Sequence, residues 1–206
     1  LLDAEWPELT ARKLRRLTNS GGALTTGMVR GLRSKFPNAD LYPMYGLTEA
    51  FRSTYLDPSL VDEHPDSMGR AIPFAEILVV NDAGEDAAAG EEGELVHAGP
   101  LVAQGYWQDA ERTAERYKPA PAFSTYGGMA VWSGDRVRRD EQGLLYFVGR
   151  RDAMIKSSGN RISPAEIEDA ATSTGLAAEA VALGIPDPQL GQAILLLVRP
   201  AAVPQP

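Results

Sequence analysis

The chain has 206 residues, of which 44% are hydrophobic and 23% charged, so it is long enough to form one or two globular domains with a sizeable core. Its net charge of −8 gives no overall field that would attract nucleic acid or an anionic membrane surface. Without cysteine it can form neither disulfides nor thiolate metal sites, and two histidines are too few for a histidine-built metal site.

No stretch of about 18 residues is apolar enough to span a membrane, and the start of the chain shows no basic-then-apolar signal segment. We therefore expect a cytoplasmic protein with no membrane span and no nucleic-acid partner. Because the chain begins with Leu1 instead of methionine, we also expect it to be a piece of a larger protein.

Residues 1 to about 65 show the pattern of an α/β region. Short strands are expected at 15–19 and 41–45. Between them, Thr25 or Thr26 can cap a helix. The apolar face of that helix would consist of Met28, Val29, Leu32 and Phe36.

The stretch before this helix, Ser20 to Gly27, has the serine, glycine and threonine content of a phosphate-cradling loop. No lysine follows at the distance that such a loop requires. We therefore do not assign this stretch to the triphosphate of a nucleotide.

The second strand leads into Tyr45-Gly46-Leu47-Thr48-Glu49, where a hydroxyl and a carboxylate lie side by side after a glycine. Thr48 could donate to a phosphate oxygen, and Glu49 could hold Mg²⁺, which prefers carboxylate and water ligands. A helix N-cap at Thr48, with Glu49 in the first turn, is the alternative for the same residues.

From Gly69 to Val148 the pattern becomes β. The expected elements are strands at 76–80, 93–97, 129–132 and 144–148, a short helix at 109–117 and a loop at 118–128. The segment Trp132-Ser133-Gly134-Asp135 predicts a turn that presents one carboxylate. Such a carboxylate can accept hydrogen bonds from two vicinal hydroxyls and so suits a ribose, and a plain β-turn is the alternative.

A basic segment, Gly149 to Ile162, connects the last of these strands to a helix that starts at Pro164. Ser163 and Glu166 have the spacing of a capping box, and Gly175 can close the helix. Glycines beside basic side chains suit close approach to a polyanion, although solvated charges on a plain strand–loop–helix connection fit the pattern equally well. Two further strands are expected at 178–184 and 192–199.

Taken in order, these motifs resemble those of the adenylate-forming superfamily, which contains acyl-CoA synthetases, peptide-synthetase adenylation domains and firefly luciferase. The resemblance runs from about Leu14 to about Pro200 and rests on four segments at compatible spacings. They are Tyr-Gly-Leu-Thr-Glu at 45–49, Gly-Glu-Leu at 93–95 with Gly-Tyr-Trp at 105–107, Ser-Gly-Asp at 133–135, and Gly-Arg-x-Asp-x-x-Ile-Lys-x-x-Gly-x-Arg-Ile at 149–162.

The resemblance implies an α/β and α+β fold. Residues 1–150 would be the C-terminal part of a large adenylating domain, with an α/β portion at 1–65 and a small β-barrel portion at 66–150. Residues 151–206 would be the first part of a small, mobile α+β domain that a hinge joins to the large one.

For the nucleotide, the resemblance implies that Thr48 acts on the phosphate, that Glu49 binds Mg²⁺, and that Tyr45 and Gly46 lie beside the adenine. It makes Asp135 the ligand of the ribose. The remaining nucleotide or pocket contacts that it implies are Arg150, Gly21, Gly22 and Ala23.

For a second reaction, the resemblance makes Asp152 the hinge residue. Lys156 and Gly159 would belong to a loop that swings in to complete the thioester-forming site, where Gly159 lets a pantetheine chain pass close to the backbone. Arg161 would contribute to cofactor binding, with a solvated arginine as the alternative.

The activity implied is that of an AMP-forming acyl-CoA ligase, which activates a carboxylic acid with ATP and Mg²⁺ as an acyl-adenylate and transfers the acyl group to coenzyme A. A peptide-synthetase adenylation domain that loads a carrier protein, and a non-catalytic nucleotide-binding remnant, are the alternatives. The family's triphosphate loop is absent from the chain, and so is its C-terminal lysine, since no lysine follows Lys156. We therefore expect the isolated chain to be inactive, and the patterns leave the acid and the oligomeric state open.

Overall fold

The computed structural model describes residues 1–2, 4–22, 24–151 and 153–201, and these residues form two compact units. The first unit comprises Leu1–Ser133 and Val137–Phe147, and the second comprises Gly134–Arg136 and Val148–Pro206. Both units combine helix and sheet, which confirms the predicted mixed α/β fold class. Among the described residues, no helix has both the length and the apolar character needed to cross a bilayer.

The helices of the first unit are short. They are α1 (Glu8–Lys13), α2 (Thr26–Lys35) and α3 (Ala110–Arg116), together with a 3₁₀ turn at Pro58–Leu60. Its strands are β1 (Arg16–Asn19), β2 (Asp40–Tyr45), β3 (Thr54–Tyr55), β4 (Ser67–Ala71), β5 (Glu76–Val80), β6 (Glu92–Ala98), β7 (Tyr117–Pro119), β8 (Met129–Arg139) and β9 (Leu145–Arg150), of which the last two also contribute residues to the second unit. Within the described part of the chain they form one nine-stranded sheet in the order β1-β2-β3-β4-β9-β8-β6-β5, with β7 paired to β8.

The second unit adds four strands and one helix to the described residues. They are β10 (Ile155–Ser157), β11 (Asn160–Ile162), α4 (Pro164–Ser173), β12 (Ala177–Asp187) and β13 (Gly191–Pro200). The strands pair in the order β11-β10-β13-β12, and β12 and β13 form a long antiparallel ladder. Helix α4 packs on β12, where the carboxylate of Glu168 accepts a hydrogen bond of 2.9 Å from the backbone N–H of Ala182.

The predicted helix α2 is confirmed, with one error in its buried face. Thr25 caps it, because its Oγ1 accepts a hydrogen bond of 3.2 Å from the backbone N–H of Met28. Val29, Leu32 and Phe36 are buried, as expected. Met28 is 45% exposed, because it lies in the first turn at the edge of this apolar stripe. The helix joins the parallel strands β1 and β2 and so positions the loop that follows β2.

The predicted turn that ends in Asp135 is wrong, because strand β8 continues through it. Ser133 anchors this part of the strand, since its Oγ donates a hydrogen bond of 2.6 Å to the carbonyl of Leu95 in β6. Gly134 has a φ of +73°, so the backbone departs from regular strand geometry at this glycine without ending the strand. Asp135 is therefore a buried strand residue and not part of an exposed turn.

Candidate functional site

The loop that follows β2 is fixed by main-chain contacts. A Cβ atom at Gly46 would lie 2.1 Å from the backbone nitrogen of Arg52, so only glycine fits at this position. The N–H of Leu47 donates to the carbonyl of Ala50 at 3.1 Å, and Ala50 pairs with Val102 in an isolated bridge. Residues 47–57, all of them described, contain no helix, which excludes the helix N-cap alternative for this loop.

Glu49 is held in this loop by both its main chain and its side chain. Its carbonyl accepts a hydrogen bond of 2.8 Å from the N–H of Ala103, and its carboxylate Oε1 accepts one from the phenol of Tyr106. Burial raises the pKa of Tyr106 and the bond to Glu49 raises it further, to about 12, so the phenol remains a proton donor at neutral pH. Thr48 is exposed, whereas Glu49 is half-buried.

Tyr106 is in turn held by the segment that leads into α3. Its backbone N–H donates to Oγ1 of Thr113 at 2.9 Å, and the Thr113 hydroxyl donates to the carbonyl of Asp109 at 2.6 Å. The Tyr106 ring meets Tyr117 edge-on, with centroids 5.7 Å apart. Gly105 is required next to it, because its φ is +139° and a Cβ atom would lie 2.7 Å from Cγ2 of Thr113.

A groove of about 600 Å³ opens beside Tyr106 in the first unit. Its walls include Trp107, Thr113, Tyr117 and Met129. Trp107 is 89% exposed, so this groove is an open surface feature and not an enclosed cavity.

Tyr45 rests on a buried histidine. Its ring stacks on His97 of β6, with centroids 5.9 Å apart and an angle of 17° between the ring planes. His97 is 2% exposed, and neither of its ring nitrogens has a hydrogen-bond partner among the described residues. Burial lowers the pKa of His97 to about 4, so the ring is neutral at pH 7 and supports Tyr45 without placing a charge beneath it.

In the second unit, the structure brings together two of the predicted nucleotide contacts. Nη1 of Arg150 lies 3.2 Å from Oδ1 of Asp135. The Asp135 side chain is 6% exposed and that of Arg150 is 41% exposed, so the carboxylate is buried and the guanidinium reaches solvent. The N–H of Arg151 donates to the carbonyl of Gly134 at 2.8 Å and fixes the backbone next to this ion pair.

The predicted loop that carries Lys156 and Gly159 is a β-hairpin, with Arg161 in its second strand. Strands β10 and β11 pair with Lys156 opposite Arg161. The two residues between them, Ser158 and Gly159, have φ values of +50° and +81°, as in the tight turns that favour glycine. The backbone N–H of Lys156 donates to Oε1 of Gln192 in β13 at 2.6 Å.

The predicted capping box at the start of α4 is also wrong. The Ser163 side chain makes no capping hydrogen bond, and its Oγ instead donates to the carbonyl of Val148 in β9 at 2.6 Å. A Cβ atom at Gly149 would lie 2.9 Å from that Oγ, so the contact depends on glycine at 149. Ser163 therefore joins the start of α4 to β9 and leaves the first turn of the helix without a side-chain cap from this residue.

The remaining predicted residues are less well defined by their surroundings. Gly21 and Gly22 are exposed, and a Cβ atom on either would meet nothing within 4 Å. Ala23 and the hinge candidate Asp152 lie outside the described residues.

Sequence reasoning missed two residues of the first unit, Tyr106 and His97. Tyr106 belongs to the Gly-Tyr-Trp motif, yet nothing in that motif indicates a contact with a carboxylate 57 residues earlier in the chain. The count of two histidines excludes a histidine-built metal site but does not indicate where the His97 ring lies. The neighbouring Gly-Glu-Leu strand was a signal that its ring would be buried, but not that it would lie against Tyr45.

Glu49 suits a magnesium ion better than a metal that needs several protein ligands. No group of three or more histidine, cysteine, aspartate or glutamate side chains that could hold a metal lies within the described ranges. Mg²⁺ keeps several water ligands and binds proteins through one or two carboxylates plus the phosphates of a substrate. A single carboxylate beside an exposed hydroxyl therefore fits a magnesium–nucleotide complex.

Residues 3–107 match the family described as AMP-binding enzyme. The chain is 34% identical over 182 residues to a long-chain-fatty-acid–CoA ligase of Salmonella typhimurium, an alignment that covers 88% of the chain and 31% of that relative. It is 33% identical over 173 residues to a D-alanine–D-alanyl carrier protein ligase of Lacticaseibacillus casei, which covers 82% of the chain and 33% of that relative. The chain thus spans about a third of the length of these relatives.

A solved structure of similar fold is o-succinylbenzoate CoA synthetase (MenE) from Bacillus subtilis. In its complex with the acyl-adenylate intermediate it superimposes with a TM-score of 0.79 at 26% identity, covering 96% of this chain and 39% of that one. In its complex with ATP and a magnesium ion the TM-score is 0.74 at 26% identity, covering 89% of this chain and 36% of that one.

Proposed function

The chain belongs to the AMP-binding enzyme family, and we propose that it carries part of the catalytic machinery of an AMP-forming acyl-CoA ligase. The observation that carries this proposal is the Thr48–Glu49 loop. The backbone of this loop leaves room only for glycine at position 46, and the Glu49 carboxylate accepts a hydrogen bond from the phenol of Tyr106. A fixed carboxylate next to an exposed hydroxyl is what a magnesium–triphosphate needs from a protein.

The proposed reaction has two steps. In the first, a carboxylate oxygen of the acid attacks the α-phosphorus of ATP, and the bond from that phosphorus to the bridging oxygen of pyrophosphate breaks. In the second, the thiol of coenzyme A loses its proton to solvent, its sulfur bonds to the acyl carbon, and the bond from that carbon to the phosphate oxygen of AMP breaks, so that AMP leaves. Bound Mg²⁺ would neutralise charge on the phosphates during the first step.

In the first unit, Thr48 would donate to a phosphate oxygen and Glu49 would bind the magnesium ion. Tyr45 and Gly46 would lie beside the adenine, with Gly21, Gly22 and Ala23 along the same pocket. The neutral His97 ring supports this arrangement, because it fixes the plane of the Tyr45 ring.

In the second unit, Asp135 would accept hydrogen bonds from the ribose hydroxyls and Arg150 would contact the nucleotide. Their ion pair supports this assignment, because it holds a buried acceptor next to a guanidinium that reaches solvent.

The residues from 151 onwards would act in the second step, as the start of a small mobile domain that follows the adenylating domain of residues 1–150. Asp152 would be the hinge. Lys156, Gly159 and Arg161 would contribute to the thioester-forming site, and their position on an exposed hairpin supports a role at a surface that meets another group. Arg161 as a solvated side chain is the alternative.

The acceptor of the acyl group separates the main proposal from its runner-up. The Salmonella relative is a CoA ligase, and the Lacticaseibacillus relative is a carrier protein ligase of nearly equal identity. We propose coenzyme A, with ATP and a small-molecule carboxylic acid as the other substrates. The cytoplasmic location that we also propose fits a reaction that consumes ATP and coenzyme A.

Nucleotide binding by the full-length protein is the first test. Titration calorimetry with ATP and Mg²⁺ should detect binding, and Asp135→Ala should weaken it by about tenfold, because a hydrogen bond to a charged group contributes about 1.5–3 kcal/mol. Asp62→Ala is the matched control, because it removes a surface aspartate paired with Arg33 at 3.0 Å. Absence of binding by the full-length wild-type protein, or equal losses in the two variants, would refute the nucleotide assignment.

The reaction itself requires the full-length protein. ATP–pyrophosphate exchange with a panel of carboxylic acids should occur there and be absent from the isolated chain, which lacks the triphosphate loop and the C-terminal lysine. Thioester formation with coenzyme A, compared with loading of a phosphopantetheinylated carrier protein, then decides the acceptor. Exchange without transfer to either thiol would contradict the ligase assignment.

A further inference from the structure

The hydrogen bond between Tyr106 and Glu49 joins the segment at 102–106 to the loop that carries Thr48 and Glu49. We propose that Tyr106 is a positioning residue: its phenol holds one carboxylate oxygen of Glu49 and orients the other toward the magnesium ion of the nucleotide. This inference rests on the proposed function, because it assigns Glu49 to the metal. It extends that function to a residue outside the Thr-Glu loop.

Geometry at the tyrosine supports a fixed donor. The backbone of Tyr106 is held by Thr113 at 2.9 Å, and Thr113 is held by the carbonyl of Asp109 at 2.6 Å. The ring packs edge-on against Tyr117, which is buried. A phenol fixed at its backbone and along its ring presents its O–H in one direction, so little side-chain entropy is lost when the bond forms.

Geometry at the glutamate shows that the same segment holds the acceptor. Ala103, three residues before Tyr106, donates its N–H to the carbonyl of Glu49 at 2.8 Å, and Val102 pairs with Ala50. Residues 102–106 therefore bind both the main chain and the side chain of Glu49. The distance between donor and acceptor is set by one short, continuous stretch of backbone.

The chemistry of the pair suits a metal ligand. An ionised carboxylate has two oxygens and only acceptor positions, and a phenol occupies one of these positions without neutralising the charge. Hydrogen-bonded partners of metal-ligating groups fix their orientation, and their removal commonly lowers metal affinity by about 10–100-fold. Without the hydrogen bond from Tyr106, the Glu49 side chain would lose its rotational freedom only when the metal binds, and that entropic cost would lower the metal affinity.

The test is the magnesium dependence of ATP binding by the full-length protein. Tyr106→Phe removes the hydroxyl and keeps the ring against Tyr117. We expect it to raise the Mg²⁺ concentration for half-maximal ATP binding by about tenfold. Binding of ATP measured in EDTA should stay unchanged, because Tyr106 acts only through the metal ligand. Tyr126→Phe makes the same chemical change on a ring that is 51% exposed and should leave both values at wild type.

Two further variants separate positioning from a structural role. In a Glu49→Gln background, Tyr106→Phe should have no further effect on the magnesium requirement, because the ligand that it orients is gone. Thr113→Val keeps the phenol but removes its backbone anchor, and should shift the magnesium requirement in the same direction by a smaller factor. If Tyr106→Phe fails to fold, Thr113→Val still tests the inference through the same measurement.

Each outcome supports or overturns the inference. A tenfold shift confined to magnesium-dependent binding supports it. Equal weakening with and without Mg²⁺ identifies Tyr106 as a structural residue and overturns the inference while the proposed function stands. An unchanged magnesium requirement in both Tyr106→Phe and Thr113→Val also overturns the inference while the proposed function stands. Absence of ATP binding by the full-length wild-type protein refutes the proposed function, and the inference with it.

Discussion

The loop that carries Thr48 and Glu49 and the hairpin that carries Lys156 and Gly159 are held in opposite ways. Around Gly46 there is no room for one additional carbon atom, and Glu49 is bonded through both main chain and side chain. At the tip of the hairpin, a Cβ atom on Gly159 would meet nothing within 4 Å, and Lys156 is exposed.

The difference corresponds to two demands that chemistry makes on a protein. Groups that stabilise charge developing on a phosphate are most effective when they are fixed before the reaction begins. A group that acts only in a second step must be able to reach its partner after the first step is complete. We therefore interpret the loop as the preorganised part of the site and the hairpin as the part that meets a second substrate.

The largest difference is expected between Gly46→Ala and Gly159→Ala, each of which adds one methyl group. Gly46→Ala places a Cβ atom 2.1 Å from the Arg52 nitrogen, so the backbone must move; we expect a loss of about 3 kcal/mol or more and loss of ATP binding. Gly159→Ala has open space and incurs only the strain of a φ of +81°, about 1 kcal/mol, with ATP binding retained. Chemical denaturation and titration calorimetry measure both. Equal losses in the two variants would remove the distinction between a fixed loop and an open tip.

A second effect concerns the buried His97 that supports Tyr45, and it depends on pH. The folded chain lowers the pKa of His97 to about 4 from 6.5 by burial, so in the unfolded chain the ring gains its proton at higher pH. The free energy of unfolding is therefore not reduced by this group above pH 6.5. It falls by about 3 kcal/mol in total as the pH drops from 6.5 to 4, because the unfolded chain binds a proton that the folded chain does not. Denaturation curves across this range should show the fall in the free energy of unfolding.

The control for this prediction keeps the ring and removes the titration. His97→Phe retains an aromatic ring for Tyr45 and removes two nitrogens that have no partner among the described residues, so the free energy of unfolding should vary less between pH 6.5 and 4. His64→Gln, which changes the other histidine, should leave the fall in place. A fall of equal size in His97→Phe would assign the pH dependence to other groups.

The same contrast explains which elements could be predicted from the sequence. Strand β5 and helices α2 and α3 follow from local patterns, namely a run of apolar β-formers and caps at Thr25 and Asp109. The motif order also indicated the family and the mixed α/β fold. These signals lie within a few residues of the elements that they specify, so no knowledge of distant contacts was needed.

The errors occurred where distant contacts override a local pattern. Ser-Gly-Asp is typical of a turn, but β8 continues through it and Ser133 bonds to Leu95 in β6. Ser163 and Glu166 have the spacing of a capping box, but the Ser163 hydroxyl bonds to Val148 instead. The partner of Glu49 lies 57 residues away, and no pattern near either residue indicates that contact.

A third effect, about tenfold in rate, distinguishes the Thr48–Glu49 loop from the hairpin, because we expect the loop to act in adenylate formation and the hairpin in thioester formation. In the full-length protein, Lys156→Ala should leave adenylate formation near normal and slow thioester formation by about tenfold, or about 1.4 kcal/mol in the barrier. Asp152→Pro should act alike, because proline fixes φ at the residue proposed as the hinge. Single-turnover assays of each half-reaction measure the two rates, and Glu49→Gln is the opposing control, with its main loss expected in adenylate formation. Equal losses in both steps for Lys156→Ala would assign the hairpin a purely structural role.

The smallest effect concerns Ser163, which directly follows the hairpin. It tests whether the hydrogen bond from Ser163 to Val148 holds this segment in place, although the tip of the hairpin is open. Ser163→Ala removes the hydrogen bond to Val148 and should lower the free energy of unfolding by about 1 kcal/mol. Ser163→Asp distinguishes this contact from a helix cap. Aspartate is as good an N-cap as serine, so a capping role predicts that Asp is tolerated better than Ala. The observed contact predicts the reverse order, because the Ser163 side chain is buried, Gly149 leaves no room beside its Oγ, and a carboxylate cannot donate to the Val148 carbonyl. Chemical denaturation of the three proteins gives the order directly. If Asp proves more stable than Ala, the hydroxyl acts as a cap in solution and the start of α4 is not tied to β9.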